Sequence, residues 1–139
     1  MRATSSLPDS AQTAARLNFP AFDSPELLAW LEHSSPEARD GLPFGVITMV
    51  PGGVVEHYNK AESALSGLRP SRVIGRNFFT SVAPCTNNFM IAHRFETEPE
   101  IDDVCDYVFT FRIAPLRVRL RMLQCHAARS CYLVVERRN

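Results

Sequence analysis

At 139 residues the chain is long enough for one domain with a real core and too short for two ordinary ones. Hydrophobic residues make up 45% and charged residues 22%, globular proportions that exclude a disordered or fibrous chain. The 15 basic and 15 acidic residues cancel, so no global field steers the protein to nucleic acid or to an anionic membrane.

The first twenty residues mix small and polar side chains and hold no apolar core of signal-peptide length. No later run approaches the ~20 apolar residues that a bilayer demands, so the expected location is the cytoplasm. Cys85, Cys105, Cys125 and Cys131 contain no Cys-x-x-Cys pair, which points away from a zinc knuckle or a thioredoxin-like site and toward reduced thiols. His33, His57, His93 and His126 show no ligand spacing, and no metal is expected.

Residues 1–23, with Pro8, Pro20 and a brief apolar turn at Ala14-Ala15-Arg16-Leu17, are expected to form a loosely attached arm, and residues 24–139 the domain. Ser24-Pro25-Glu26 offers an N-cap, a Pro for the first helical position and a first-turn carboxylate ahead of Leu27-Leu28-Ala29-Trp30-Leu31. That helix should end before Ser34-Ser35-Pro36. Phe44 to Val50 is β-rich, Pro51-Gly52-Gly53 turns the chain, and Val54 to Tyr58 returns, which together read as a hairpin. Asn59 then caps a short helix over Lys60 to Leu65 that Gly67 stops, with Glu62 and Ser66 four apart on one face.

A further turn of helix is expected over Ser71 to Ile74. Next, Val73-Ile74-Gly75-Arg76-Asn77-Phe78-Phe79 leads from a Gly turn into a short apolar helix that Pro84 stops, so that the Cys85 thiol follows directly on a rigid bend. Asn88 to Glu96 reads as a longer helix. From Val104 the period changes to two: Cys105, Tyr107, Phe109, Phe111 and Ile113 point one way, while Asp106, Thr110 and Arg112 point the other. Two more strands follow, Leu116 to Met122, whose Arg117, Arg119 and Arg121 suit a solvated outer sheet face, and Cys131 to Arg137. A hairpin, several short helices and three consecutive strands predict an α+β fold, an antiparallel sheet of about five strands with short helices on one face and an N-terminal helical cap.

Leu42-Pro43-Phe44-Gly45, Tyr58-Asn59-Lys60-Ala61-Glu62, the run Val73 to Thr86 with Val82-Ala83-Pro84-Cys85 inside it, and Tyr107-Val108-Phe109 together resemble the photoactive yellow proteins. These are a branch of the PAS-domain sensors, and the resemblance runs from about residue 25 to the C-terminus.

The resemblance implies a PAS fold and a blue-light receptor, not an enzyme, with 4-hydroxycinnamic (p-coumaric) acid held as a thioester on Cys85. It places Tyr58 and Glu62 as hydrogen-bond donors to the phenolic oxygen, Ser66 as support for Tyr58, and the Cys85 backbone N–H on the thioester carbonyl. Ile47, Leu68, Phe78, Phe79, Val82, Pro84, Phe109 and Phe111 would line or support the pocket. Signalling would proceed by chromophore isomerisation, proton transfer from Glu62 and a conformational change that releases the N-terminal arm and the Trp30 helix. Where family members often place an Arg over the pocket mouth this chain has Leu68, and Asn87-Asn88-Phe89-Met90 also departs from the family.

The physics is coherent with these residue types. A phenol near ~10 must fall below neutral to be an anion, and a Glu near ~4.3 must rise above neutral to donate to it, each a change of about 4 kcal/mol. Burial raises the Glu, and two charge-assisted hydrogen bonds lower the phenol. The expected partner is a downstream signalling protein of unknown identity, with a homodimer through the N-terminal region or the sheet face also open. The alternative reading is a PAS ligand-binding or protein-interaction module without chromophore; a thiol enzyme using Cys85 is the weaker third, since no motif places a His to activate it.

Overall fold

In the computed structural model, which describes residues 19–110 and 114–138 of the chain, five strands form one antiparallel sheet. They are β1 (Gly45–Met49), β2 (Val55–Tyr58), β3 (Ile101–Phe109), β4 (Leu116–Gln124) and β5 (Cys131–Arg137), in the spatial order β2-β1-β5-β4-β3. The last strand therefore inserts between the first hairpin and β4, and it pairs with β1 from Gly45 opposite Val135 to Met49 opposite Cys131. Central position explains composition. Every residue of β1 and the first five of β5 are buried, so both read as unbroken apolar runs rather than alternating ones. Edge strand β3 does alternate, with Cys105 and Tyr107 half-buried and Val104 and Val108 exposed.

The sheet carries a core on each face. On one face Ile47, Tyr58, Phe78, Phe109, Leu120 and Leu133 belong to a single buried cluster, covered by the segment between β2 and β3. That segment contains α3 (Lys60–Ser66), α4 (Pro70–Val73), a π-turn (Phe78–Val82), a 3-10 turn (Pro84–Thr86) and α5 (Ala92–Thr97). On the other face α1 (Leu27–His33) and the preceding residues put Phe22, Leu27 and Leu31 against Phe44, Leu123 and Val134. Burying side chains of this size supplies roughly 1.5–3 kcal/mol each before conformational entropy is charged.

Several elements differ from the sequence expectation. A second N-terminal helix, α2 (Pro36–Asp40), follows α1 directly, with Ser35 Oγ accepting from the Ala38 N–H at 3.1 Å and Pro36 at its first position. At α1 itself Ser24 Oγ accepts from the Glu26 N–H at 3.1 Å, which makes a turn of Ser24-Pro25-Glu26 and delays the helix to Leu27. The Asn88 side chain accepts from the N–H groups of Met90 and Ile91, so the chain turns there and α5 starts only at Ala92. Strand β3 starts at Ile101, three residues before the change of period at Val104, and residues 111–113 lie outside the described residues. So does most of the expected arm, residues 1–18.

The β4 arginines correct the reading of a solvated face. Arg121 is only 4% exposed, with its guanidinium clamped on both oxygens of Asp102 and donating to the carbonyls of Phe22 and Ser24 at 2.7 Å. Arg119 bonds Asp23 and Glu136 and lies 4.8 Å over the Phe22 ring. Only Arg117 of the three is exposed in full. These side chains fasten residues 22–24 to the sheet, a role that alternation alone does not reveal.

Candidate functional site

The site is built on α3, and Asn59 sets that helix in place. Its Oδ1 accepts from the N–H groups of Glu62 at 3.0 Å and Val46 at 2.8 Å, while Nδ2 donates to the carbonyls of Arg39 at 2.9 Å and Phe44 at 3.1 Å. One fully buried amide thus caps α3 and ties it to β1 and to α2. At the other end Gly67 takes the left-handed conformation, φ 79°, and its N–H closes on the Ser63 carbonyl. The consequence is a helix of fixed rotation with Glu62 and Ser66 both facing inward.

Glu62 is 0% exposed and is pressed against β1 where Gly45 offers no side chain. Tyr58, the last residue of β2, brings its Oη to 2.8 Å from Ser66 Oγ and 3.4 Å from Glu62 Oε2. A phenol owns one proton, so only one of those contacts can carry it. Ser66 Oγ also accepts from the Leu68 N–H at 3.1 Å, which leaves the serine proton free to be given to Tyr58. Glu62 Oε1 is buried with no hydrogen-bond partner. Burial pushes the Glu62 carboxyl up to about 8, opposed only in part by the Tyr58 hydroxyl, so Glu62 is protonated at neutral pH. The Tyr58 phenol is raised as well, first by burial and then by the charge that Glu62 would carry.

Cys85 sits in the 3-10 turn that Pro84 begins. Ala83 N–H closes the preceding π-turn onto the Phe78 carbonyl at 2.8 Å, the Asn77 side chain caps its first N–H groups, and Pro84, with no N–H, cannot prolong it. Thr86, fully buried, fastens the turn from the other side by donating to the Ala83 carbonyl at 2.7 Å. The Cys85 carbonyl accepts from Tyr107 Oη at 2.5 Å and from Asn88 Nδ2 at 3.0 Å. Its thiol side is half-buried and packs against the cluster that contains Tyr58, Ile47, Phe78 and Phe109.

The other sequence candidates fall as follows. Ile47, Phe78 and Phe109 are buried in that cluster; Leu68 and Val82 are half-buried at its border; Pro84 is exposed; Phe111 lies outside the described residues. Leu68 and Val82 also line a groove of about 450 Å³ together with Arg69, Arg72 and Arg76, so guanidinium groups stand beside Leu68 although Leu68 is not one. A tighter cavity of about 140 Å³ lies elsewhere, among Met49, Gly53, Phe79, Phe95 and Cys131, and includes neither Cys85 nor Glu62. Tyr58, in contact with the buried Glu62 carboxyl, belongs to the apolar cluster that Cys85 borders, whereas the buried ionisable group of that cavity is the Cys131 thiol, which burial pushes up to about 11 and so keeps neutral.

Sequence reasoning passes over part of what four residues do. Gly45 was read as part of a motif but its effect is to admit Glu62. Asn59 was read as a cap, and its side chain also holds α2 and β1. Tyr107 and Asn88 form the cradle of the Cys85 carbonyl; a half-buried tyrosine, which needs a partner for its hydroxyl, was the available signal.

No family model matches the chain. Among solved structures it resembles the PAS domain of an HTR-like protein from Haloarcula marismortui, with a TM-score of 0.52 and 15% identity over 92% of this chain and 99% of that one. The sheet order and the helical segment between β2 and β3 are therefore those of a PAS domain, the class of the fold. Closer likenesses narrow the class. The photoactive yellow protein of Halochromatium salexigens is 32% identical over 124 residues, 87% of this chain and 99% of the relative, and that of Rhodothalassium salexigens is 34% identical over 101 residues. The photoactive yellow protein domain from the sensor histidine kinase Ppr of Rhodospirillum centenum superimposes with a TM-score of 0.71 at 40% identity, over 78% of this chain and 98% of that domain. The chain belongs to the photoactive yellow protein family.

Proposed function

We propose that the protein is a blue-light photoreceptor that carries p-coumaric acid as a thioester on Cys85. The observation that carries this reading is Glu62: a wholly buried carboxyl, one of its oxygens unpartnered, beside Tyr58 and above the same apolar cluster on which Cys85 packs. Such a donor pair suits a phenolic oxygen, and the apolar side chains of Ile47, Phe78 and Phe109 in the adjoining cluster suit an aromatic ring. When bound, the p-coumaroyl group supplies blue-light absorption and a double bond that light can isomerise.

The protein's own residues supply the rest. Cys85 Sγ would displace the leaving group of an activated p-coumaroyl ester, its thiol proton passing to solvent. Tyr58 and Glu62 would hold the phenolic oxygen, with Ser66 keeping Tyr58 in place. Glu62 holds a proton in the resting state, since burial keeps its carboxyl neutral below about pH 8. Loss of that proton leaves a charge in an apolar setting with no ion-pair partner among the described residues, a costly state that favours opening of the site. The strain reaches α3 first, and through Asn59 it reaches β1 and α2. Release of α1 and the residues before it would then offer a surface to a downstream signalling protein in the cytoplasm.

Reconstitution tests this. Incubated with p-coumaric anhydride, the protein should gain a visible band, one p-coumaroyl mass on the peptide holding Cys85, and bleaching with dark recovery under blue light. A colourless, unmodified product would overturn the proposal and favour a chromophore-free module.

A further inference from the structure

A second polar site lies on the opposite face of the sheet, under α1 and α2. Register places Thr48 of β1 between His57 on β2 and Tyr132 on β5. Over these residues opens a cavity of about 460 Å³, whose lining includes Arg39, Thr48, Glu56, His57, Arg129 and Tyr132. It holds neither Cys85 nor Glu62.

Three of its lining residues carry buried polar atoms without a hydrogen-bond partner: Arg39 Nε, Thr48 Oγ1 and His57 Nε2. Arg39 is only 8% exposed and Thr48 only 3%. His57 Nε2 stands 3.5 Å from Asp40 Oδ1, within ion-pair distance but outside hydrogen-bond geometry, and that oxygen already accepts from the Lys60 N–H at 3.0 Å. Unmatched buried groups are rare, and three on residues that line one cavity call for an occupant.

The charges of the lining balance, Arg39 and Arg129 against Glu32 and Glu56, so the unpartnered groups define its chemistry. Both oxygens of Glu32 are engaged, with the Arg129 N–H at 3.1 Å and the Tyr132 hydroxyl at 2.5 Å, and Glu56 Oε1 accepts from Ser130 Oγ at 3.1 Å. Arg39 Nη1 already donates to the Ser34 carbonyl at 2.9 Å and Oγ at 3.1 Å, so the uncommitted groups are Arg39 Nε, Thr48 Oγ1 and His57 Nε2, with the exposed Arg129 also in the lining. A set of donors around a fixed cation suits a ligand rich in acceptors.

We propose that this cavity binds a small oxyanion, a carboxylate or a phosphate, through Arg39, Thr48 and His57. The site is wired to the light-sensing side by short links. The Arg39 carbonyl accepts from Asn59, which also caps Glu62, and Asp40 caps the first N–H of α3. An occupant that draws on Arg39 and His57 therefore acts on the helix that carries Glu62.

The full chain, isotope-labelled and without chromophore, would be titrated separately with inorganic phosphate and with succinate, with sodium chloride at matched ionic strength as control. Amide and arginine Nε–H resonances report binding. The expected result is a saturable shift centred on Arg39, Thr48 and His57 with at least one of the two anions, which then names the class. Thr48→Val, close in shape, should weaken it by about tenfold, the order expected for a hydrogen bond to a charged group. Arg129→Gln, at the exposed rim, should weaken it without disturbing the fold. Shifts that chloride reproduces, that fail to saturate, or that survive both substitutions unchanged would overturn the proposal.

Discussion

Gly45 and Glu62 meet so closely across the contact between β1 and α3 that a Cβ on Gly45 would stand 2.1 Å from Glu62 Oε1. No backbone strain is involved; the requirement is space. A buried carboxyl is admitted to this core because one strand residue has no side chain.

Gly45→Ala should therefore push the Glu62 carboxyl off its position or force β1 and α3 apart. We expect a loss of about 1–3 kcal/mol in urea unfolding, the range for overfilling a packed core. The same substitution should alter the infrared carboxyl band of Glu62, which distinguishes a local displacement from general loosening.

Ser66→Ala removes the 2.8 Å partner of a phenol that is itself 1% exposed. The phenol is left with only the longer 3.4 Å contact to Glu62 Oε2, and losing a buried hydrogen bond of this kind costs about 0.5–1.5 kcal/mol. Ser66→Thr keeps the oxygen and should recover most of that stability in the same denaturation series.

The pH dependence of stability follows from Glu62 with a definite sign. Its carboxyl titrates near 4.5 when unfolded and at about 8 when folded. Between those values the folded state binds the extra proton, so the contribution of Glu62 to stability falls as pH rises across that window and levels off above it. Comparing the urea midpoints of the native protein and Glu62→Gln from pH 5 to 8 checks this. The native midpoint should decline relative to the variant; parallel curves would mean that Glu62 is not a buried acid.

Arg121→Met should release the clamp on Phe22 and Ser24 while leaving β4 paired. Hydrogen exchange of residues 22–31 should quicken, and exchange across β1 and β5 should stay slow. Uniform acceleration of both would show that Arg121 supports the sheet itself.

Much of this architecture was legible because its signals are local. Asn59 before Lys60 and Gly67 after Ser66 bracket α3, the four-residue spacing places Glu62 with Ser66, and Pro51-Gly52-Gly53 marks the hairpin. What was hidden depends on contacts distant in sequence. The Arg117, Arg119 and Arg121 alternation matches a solvated face, yet residues 22–24 cover two of the three guanidinium groups. The π-turn arises from where the Ala83 N–H finds its acceptor, and the value of Gly45 appears only when Glu62 is brought against it. The resemblance pointed to the pairing of Tyr58 with Cys85; spacing alone does not bring residues this far apart to one cluster.

Light-minus-dark infrared difference spectroscopy of the p-coumarate-reconstituted protein tests the central claim most directly, that Glu62 is the neutral buried donor and gives up its proton. The account predicts a negative protonated-carboxyl band in the native protein that disappears in Glu62→Gln, with the chromophore still attached to Cys85. A carboxyl band that persists in Glu62→Gln, or none in the native protein while the visible band bleaches, would contradict it.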